Sequence, residues 1–381
     1  MRQEWEMEFV PGGQEALEAL ARTDFDVVLS DMRMPGMDGA QLLNEVRQRH
    51  PHVIRIVLSG QSDKESVLRS IGSTHQYLSK PCDPDKVRAT VARACALRDL
   101  LEHRALRELM AGMQVLPSLP SLYAEIVQEM QSEDASIKKA SAIIAKDLGM
   151  STKILQVINS AYFGLPGRVT SLHQAVSLLG LDIVKALVLS VQVFSQFKDV
   201  PSRVLSLDVL WRHSLTTASL AREIALAEGA EATQVEEVFM AGLLHDVGVL
   251  ALVTNVPDRY LDALQQAEEN CRPSSELELE ILGATHAEVG AYLLGLWGLG
   301  DSIVEALAFH HAPIKANGCG FSPLTAVHVA NVFEGQPAGV EKEAVLSRVD
   351  MGYLESIGLA NRLSEWHERC AQGSTQMGER V

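Results

Sequence analysis

Residues 26–39, DVVLSDMRMPGMDG, close an apolar run on a carboxylate and pass at once into a loop punctuated by Pro35 and Gly36. A run of this kind reads as a buried strand, with Asp31 at its C-terminal end. In open α/β sheets the reactive site lies just beyond the carboxyl ends of the strands, so Asp31 is a candidate for chemistry. Two later apolar runs end in the same manner: IRIVLSG on Ser59 and QYLSKP on Lys80. Three strand ends thus supply an acid, a hydroxyl and an amine.

In order and spacing these residues resemble the receiver domain of two-component response regulators, over roughly the first hundred residues. The resemblance implies a flavodoxin-like α/β fold with Asp31 as phospho-acceptor. It makes Ser59 the hydroxyl that turns toward the phosphoryl group, Lys80 its counter-charge and Tyr77 the aromatic switch. Met34, Pro35 and Gly36 form the loop after the acceptor, and Asp38-Gly39 opens the next helix.

One part of that receiver is absent. In the family a first strand carries a pair of acidic residues that hold Mg²⁺ beside the acceptor, and nothing here precedes residues 4–10 that could serve. EWEMEFV alternates Glu with Trp5, Met7 and Phe9, the period of a strand with one wet face, and reads as the family's second, edge strand. Residues 26–31 are then expected to have an empty slot beside them. Placing a phosphoryl group on a carboxylate brings like charges together, and a metal is the usual means of neutralising them. Without the acidic pair Asp31 is expected to be a poor acceptor, with Mg²⁺ binding dependent on restoring it. A start codon assigned too late, with Met1 an internal methionine, accounts for this better than a naturally shortened receiver.

With 381 residues, two to three domains are expected. A net charge of −16 argues against direct DNA binding, which relies on Lys and Arg to displace counterions. The longest apolar stretch is read as 183–194, broken by Lys185 and too short for the ~20 residues of a membrane span. No signal peptide is evident. Five cysteines, at 82, 95, 271, 319 and 370, form no CxxC and read as reduced thiols of a cytoplasmic protein.

From Asp85 to Met113 apolar residues recur in steps of three and four, marking one long amphipathic helix. Its face, with Leu97, Leu101 and Leu109, either packs within the chain or forms a homodimer seam. The LPSLP run at 116–120 ends it. Beyond lies a helical pattern with segments near 119–131, 137–147, 151–160, 171–178, 181–197, 207–228, 233–253, 276–297, 301–311, 322–333 and 343–364. The last residues, AQGSTQMGERV, read as a frayed polar tail.

Within this half, INSAYFGLPGRVTSLHQAVSLLGLDIVKALVLS (158–190), LWRHSLTTA, GLLHDVGVL and GATHAEVGAYLLGLWGL resemble the HDOD domain, an all-α output module of bacterial signalling proteins. The implied layout is a receiver over 1–98, a helical connector over 99–115, an HDOD domain over 116–335 and a C-terminal helix with a polar tail over 336–381.

HDOD domains are related to HD-type phosphohydrolases, whose metal ligands correspond here to His213, His245, Asp246 and Asn331. Asn331 offers a neutral carbonyl where that pattern has an anion. His286, His310 and His311 stand where the HD-GYP branch, which cleaves cyclic di-GMP, takes further ligands. Val249, Ala312 and the lack of a GYP loop depart from that branch. Such imidazoles and one carboxylate suit Fe, Mn or Zn. They equally suit a hydrogen-bonded polar network with no metal. Trp211 and Trp297 read as core anchors, and ELELE at 276–280 as a solvated helix face. His50, His52, His75, His103, His173, His328 and His367 carry no motif.

The reading that follows is a cytoplasmic response regulator. A sensor histidine kinase phosphorylates Asp31, and a non-catalytic HDOD output domain binds an unidentified downstream signalling protein. The alternatives are a metal-dependent HD-type phosphohydrolase or cyclic-di-GMP phosphodiesterase, and a phosphorylation-independent scaffold.

Overall fold

The computed structural model describes residues 5–50, 53–59, 76–80, 82–84, 120–130, 136–160, 169–197, 205–316, 320–334 and 345–378, with isolated positions elsewhere. The expected 85–113 helix, with its face for intrachain packing or a homodimer, lies mostly outside the described residues. The chain divides into two compact units, Met1–Gln131 with Tyr292–Leu299, and Ser132–Ala291 with Gly300–Val381.

In the first unit, α1 (Gly13–Arg22) precedes β1 (Val27–Asp31), α2 (Gly39–Arg49) precedes β2 (Ile54–Ser59), and β3 (Gln76–Ser79) completes the described sheet. The order is β1–β2–β3, parallel throughout, with Asp31 opposite Leu58 and Ser59 opposite Ser79. Ala16, Leu17 and Leu20 of α1 pack on Leu42 and Val46 of α2, while Leu43 and Ala40 meet Met32 and Val57 over the sheet. Asp38 opens α2 with a capping box completed by Gln41. A Cβ on Gly39 would collide with the carbonyl oxygen of Asp31, so this close helix-to-strand approach requires glycine.

Residues 5–10 are not a strand, contrary to their alternating pattern. A strand exists only as part of a ladder, and no described strand lies beside them; Phe9 is left 69 % exposed. The slot expected beside residues 26–31 is present. β1 pairs on one side with β2, and along it runs a groove of about 410 Å³ lined by Glu8, Val10 and Val27–Asp31.

The second unit is helical throughout its described residues. Its helices are α4 (Ile137–Ala145), α5 (Leu148–Ile158), α6 (Leu172–Leu179) and α7 (Leu181–Gln196), which follow α3 (Ser121–Met130) of the first unit. Then come α8 (Leu207–Ala227), α9 (Ala232–Leu244), α10 (Val247–Asn255), α11 (Pro257–Asn270), α12 (Ser274–Leu282), α13 (His286–Leu296), α14 (Asp301–Phe309), α15 (Pro323–Glu334), α16 (Met351–Ser356) and α17 (Leu363–Gly378). Ser136, Asp147, Ser171 and Asp350 cap α4, α5, α6 and α16 with side-chain hydrogen bonds. Ile224, Val238, Leu243 and Val327 are fully buried where α8, α9 and α15 converge.

Three boundaries differ from the sequence pattern. The single helix expected over 233–253 is two, parted at His245-Asp246, and that over 276–297 is two, parted at Gly283 in the left-handed region. No helix is expected between 253 and 276, yet Pro257 begins α11 there, because proline is well placed in a helix's first turn. The tail is helical to Gly378 instead of frayed, and α17 is anchored by Trp366, whose Nε1 donates to Glu228 on α8 at 2.8 Å.

Ala232–Asn255 is long and apolar enough to cross a membrane, but 83 % of it is buried within the protein, as befits a core element. Cys82, Cys271 and Cys370 are free thiols among the described residues. Trp297 is buried as a core anchor, whereas Trp211, read the same way, is only half-buried and packs edge-on against the half-buried Phe194 at 5.0 Å.

Candidate functional site

At the carboxyl end of the sheet, Lys80 follows β3 directly and its Nζ donates to Oδ2 of Asp31 at 2.5 Å. The other oxygen, Oδ1, accepts from the amide of Arg33 at 3.3 Å. Parallel pairing forces this convergence: Asp31 and Ser59 end adjacent strands, and Lys80 leaves the third. Both partners of the pair are 40 % exposed, so the carboxylate is open to a reagent from solvent. The side chains of Ser59 and Tyr77 lie outside the described residues.

The second cluster is built where six helices meet around Asp246. α8 contributes His213, and the end of α9 contributes His245. α13 begins with His286, α14 ends at His310-His311, and α15 and α12 bring Glu334 and Glu278. Two crossings make this possible. A Cβ on Gly242 would stand 2.7 Å from the Cα of Ala218, so α9 and α8 pack nearly backbone to backbone. A Cβ on Gly248 would stand 2.7 Å from the amide of Gly290 and would strike the carbonyl oxygen of His286, bringing α10 and α13 equally close.

The break between α9 and α10 turns His245 and Asp246 to the same centre. Asp246 Oδ2 lies 3.3 Å from Nε2 of both His213 and His245. Its Oδ1 lies 3.3 Å from Nε2 of His286 and 3.7 Å from Nε2 of His310. His311 reaches His286, Nε2 to Nε2, at 3.0 Å, and His213 faces His245 likewise at 3.0 Å.

Four rings point their other nitrogen outward onto an acceptor. Nδ1 of His245 donates to the carbonyl of Gly242 at 2.8 Å, and Nδ1 of His310 to that of Leu307 at 2.8 Å. Nδ1 of His213 donates to Glu334, and Nδ1 of His286 to Glu278 at 2.7 Å. Glu278 also accepts the backbone amide of His286 at 2.7 Å. Holding a proton on Nδ1 aims each Nε2 inward, where it presents a lone pair once the ring is neutral, which is how proteins orient imidazoles toward a metal. The fit with a cation is direct: Nε2 of His310 is buried with no hydrogen-bond partner, an acceptor facing other acceptors.

The electrostatics agree. Burial alone would raise the pKa of Asp246, but His245, His213 and His286 around it hold the carboxyl well below the usual range. Burial also works against charge on His213 and His286. The carboxylates overcome it, Asp246 and Glu334 for His213 and Glu278 and Asp246 for His286, taking both to about 10. His310 is driven far down by burial and by the neighbouring His311 and His245. The pocket therefore demands positive charge at some rings and refuses a proton at another.

The sequence-derived residues His213, His245, Asp246, His286, His310 and His311 are all brought together. Asn331 makes no recorded hydrogen bond to the cluster, and the carboxylate on that helix comes from Glu334, one turn further along α15. The ELELE face is solvated only in part. Glu276 and Glu280 are exposed and held by Arg272, whereas Glu278 is fully buried on His286. A signal was available, since Glu278 and the buried Leu282 share one face at i, i+4 spacing. His328, which carries no motif, is a buried helix-packing residue, donating to the carbonyl of His310 at 2.7 Å and accepting the amide of Asp350 at 3.1 Å.

Comparison with known proteins agrees with both halves. The HDOD domain matches residues 116–313 and the response regulator receiver domain matches residues 2–92. The DNA-binding transcriptional regulator NtrC of Escherichia coli K12 is 46 % identical over 83 residues, 22 % of this chain and 18 % of NtrC. The other curated relatives reported are likewise spanned over less than half their length. An HDOD domain protein of unknown function from Geobacter sulfurreducens superposes with a TM-score of 0.56 at 23 % identity, covering 71 % of this chain and 97 % of that one. A structure from Shewanella amazonensis SB2B, provisionally named a phosphohydrolase, does so with a TM-score of 0.56 at 24 % identity, covering 73 % and 99 %. The HDOD match covers just over half of the chain, which therefore belongs to the HDOD family, with a response regulator receiver domain matched ahead of it.

Proposed function

We propose that this protein is a cytoplasmic response regulator in which a sensor histidine kinase phosphorylates Asp31 and a helical output domain answers by binding a downstream signalling protein. The observation that carries this reading is the Lys80 ammonium on Asp31 at the carboxyl ends of three parallel strands. A phosphoryl group on that carboxylate adds about −1.5 to −2 charges, by analogy with phospho-hydroxyl side chains. Lys80 is placed to follow the new charge, with Ser59 and Tyr77 as the expected switch residues. Coupling of this kind is typically ~1–3 kcal/mol, sufficient to redirect a marginal contact. The receiver is assigned to 1–98, the connector to 99–115 and the output domain to 116–335. Incubation of the chain with acetyl phosphate and Mg²⁺, followed by intact-mass measurement, tests this. A phosphoryl adduct lost in Asp31→Asn supports it, and no adduct with any small phosphodonor or kinase overturns it.

A second reading is favoured by the convergence of five imidazoles on Asp246: the output domain binds a divalent cation, Fe, Mn or Zn, and acts as an HD-type phosphohydrolase or cyclic-di-GMP phosphodiesterase. Such an ion, when bound, would supply Lewis acidity and a bound water of lowered pKa. The chain's own contribution is the orientation of His213, His245, His286 and His310 by acceptors on Nδ1, and the exclusion of bulk water around Asp246. Turnover of a phosphodiester with Mn²⁺, abolished in His245→Ala, would establish this reading over a purely binding role.

A further inference from the structure

We propose that His328 is a positioning residue for the cluster: by gripping the peptide bond that joins His310 to His311, it sets where both rings can meet a cation. This rests on the reading of the cluster as a cation site.

His310 and His311 follow the last residue of α14, where a carbonyl has no partner within its own helix. The backbone there turns freely unless something outside the helix holds it. His328, in the middle of α15 and 5 % exposed, supplies the hold, its Nδ1 donating to the His310 carbonyl at 2.7 Å. That carbonyl lies in the peptide plane between the two histidines, so a single hydrogen bond orients the backbone on both sides of it. The His310 ring is fixed in turn, Nδ1 on the Leu307 carbonyl at 2.8 Å. What remains is Nε2, buried with no hydrogen-bond partner and 3.7 Å from Oδ1 of Asp246.

The His328 ring is itself held from behind. Its Nε2 accepts the amide of Asp350 at 3.1 Å, and the Asp350 carboxylate takes the amide of Tyr353 at 2.9 Å at the start of α16. The Tyr353 hydroxyl meets that of Thr325, one turn before His328 on α15, at 2.8 Å. α16 is thereby stitched to α15 at two points, and the imidazole cannot rotate without releasing Asp350. A neutral imidazole suits this place because it donates at one nitrogen and accepts at the other across a rigid ring. The chain of bonds runs from the first turn of α16 to the two histidines at the end of α14, and His328 is its middle link.

Titration of the full chain with Co²⁺, whose visible absorption reports the number and arrangement of its ligands, tests the proposal through two variants. His328→Asn keeps a donor where Nδ1 stands and loses the acceptor for Asp350. His328→Gln keeps the far acceptor and loses the donor to His310. Each removes one of the two hydrogen bonds, so a role in folding alone disturbs Co²⁺ binding equally in both. The proposal expects His328→Gln to weaken Co²⁺ binding about 10–100-fold, the range for groups that orient a ligand, and to alter the absorption band. It expects His328→Asn to keep the affinity and spectrum of the parent. Equal effects, the reverse order, or no effect in either variant overturn the proposal and leave the cation reading intact. A parent chain that binds no Co²⁺ overturns both. Should either variant fail to fold by circular dichroism, the ¹⁵N signal of His328 Nδ1 in the parent chain decides: a shift on loading with Zn²⁺ supports the proposal, and an unmoved signal overturns it.

Discussion

Gly248 and Gly290 cross so closely that the amide of Gly290 stands 2.7 Å from where a Cβ on Gly248 would sit. That approach is what carries His286 up to Asp246. Gly248→Ala forces α10 and α13 apart, at a cost of about 1–3 kcal/mol for overpacking. Cation affinity should fall with it, since His286 moves while its own chemistry is unchanged. Urea denaturation and cation titration of the same variant check both effects; a variant of wild-type stability and affinity would refute the packing argument.

Lys80→Ala removes a half-exposed ion pair, which is worth less than ~1 kcal/mol at such exposure. Stability without phosphodonor should therefore barely change. Any conformational difference that acetyl phosphate produces in the parent chain should disappear. Melts with and without the donor, for parent and variant side by side, supply the comparison.

His213 and His286 are both held near pKa 10 by the carboxylates around them. Both rings are therefore protonated at neutral pH without a cation, and each must lose a proton to become a ligand. Cation binding at pH 7 should release about two protons, and affinity should rise up to ~100-fold per pH unit in that range. Calorimetry in buffers of different ionisation enthalpy counts the protons directly. In the cation-free protein the sign is opposite: the protonated rings contribute stability fully present below their unfolded value near 6.5, lost as pH rises through about 10.

Glu236 on α9 shares a hydrogen bond with Asp182 at the start of α7, beside Lys185, and its pKa is raised to about 7 by burial and then by Asp182. A carboxyl whose folded pKa exceeds its unfolded value contributes stability that is present below about pH 4.5 and lost as pH rises through 7. Glu236 is largely solvated, so screening limits the effect to ~1 kcal/mol or less. Denaturation midpoints should drop slightly from pH 5 to pH 8, and Glu236→Gln should flatten that slope.

Asp31, Lys80 and the six residues from His213 to His311 were legible because each depends on a local rule, a strand end or a helix-borne motif. The strand read into residues 4–10 failed because alternation describes a face and cannot supply a neighbour. Glu278 and Glu334 were hidden for a different reason. Glu278 sits among exposed glutamates and differs from them only in the direction it turns, while Glu334 is 121 residues from the histidine it holds. Glu278 reaches His286 across the turn at Gly283, and Glu334 reaches His213 only once α15 lies against α8.

The hairpin of α11 and α12 has a small core of its own, Ala263, Ala267 and Leu277 with Ile281. So modest an apolar contact leaves the hairpin reliant on attachments to its surroundings, among them the tether of the Glu278 carboxylate seated on His286. Whatever fills or vacates the centre pulls on that tether. The segment Pro257–Leu282 should accordingly exchange its amide hydrogens at a rate set by the ion content of a pocket it mostly does not touch.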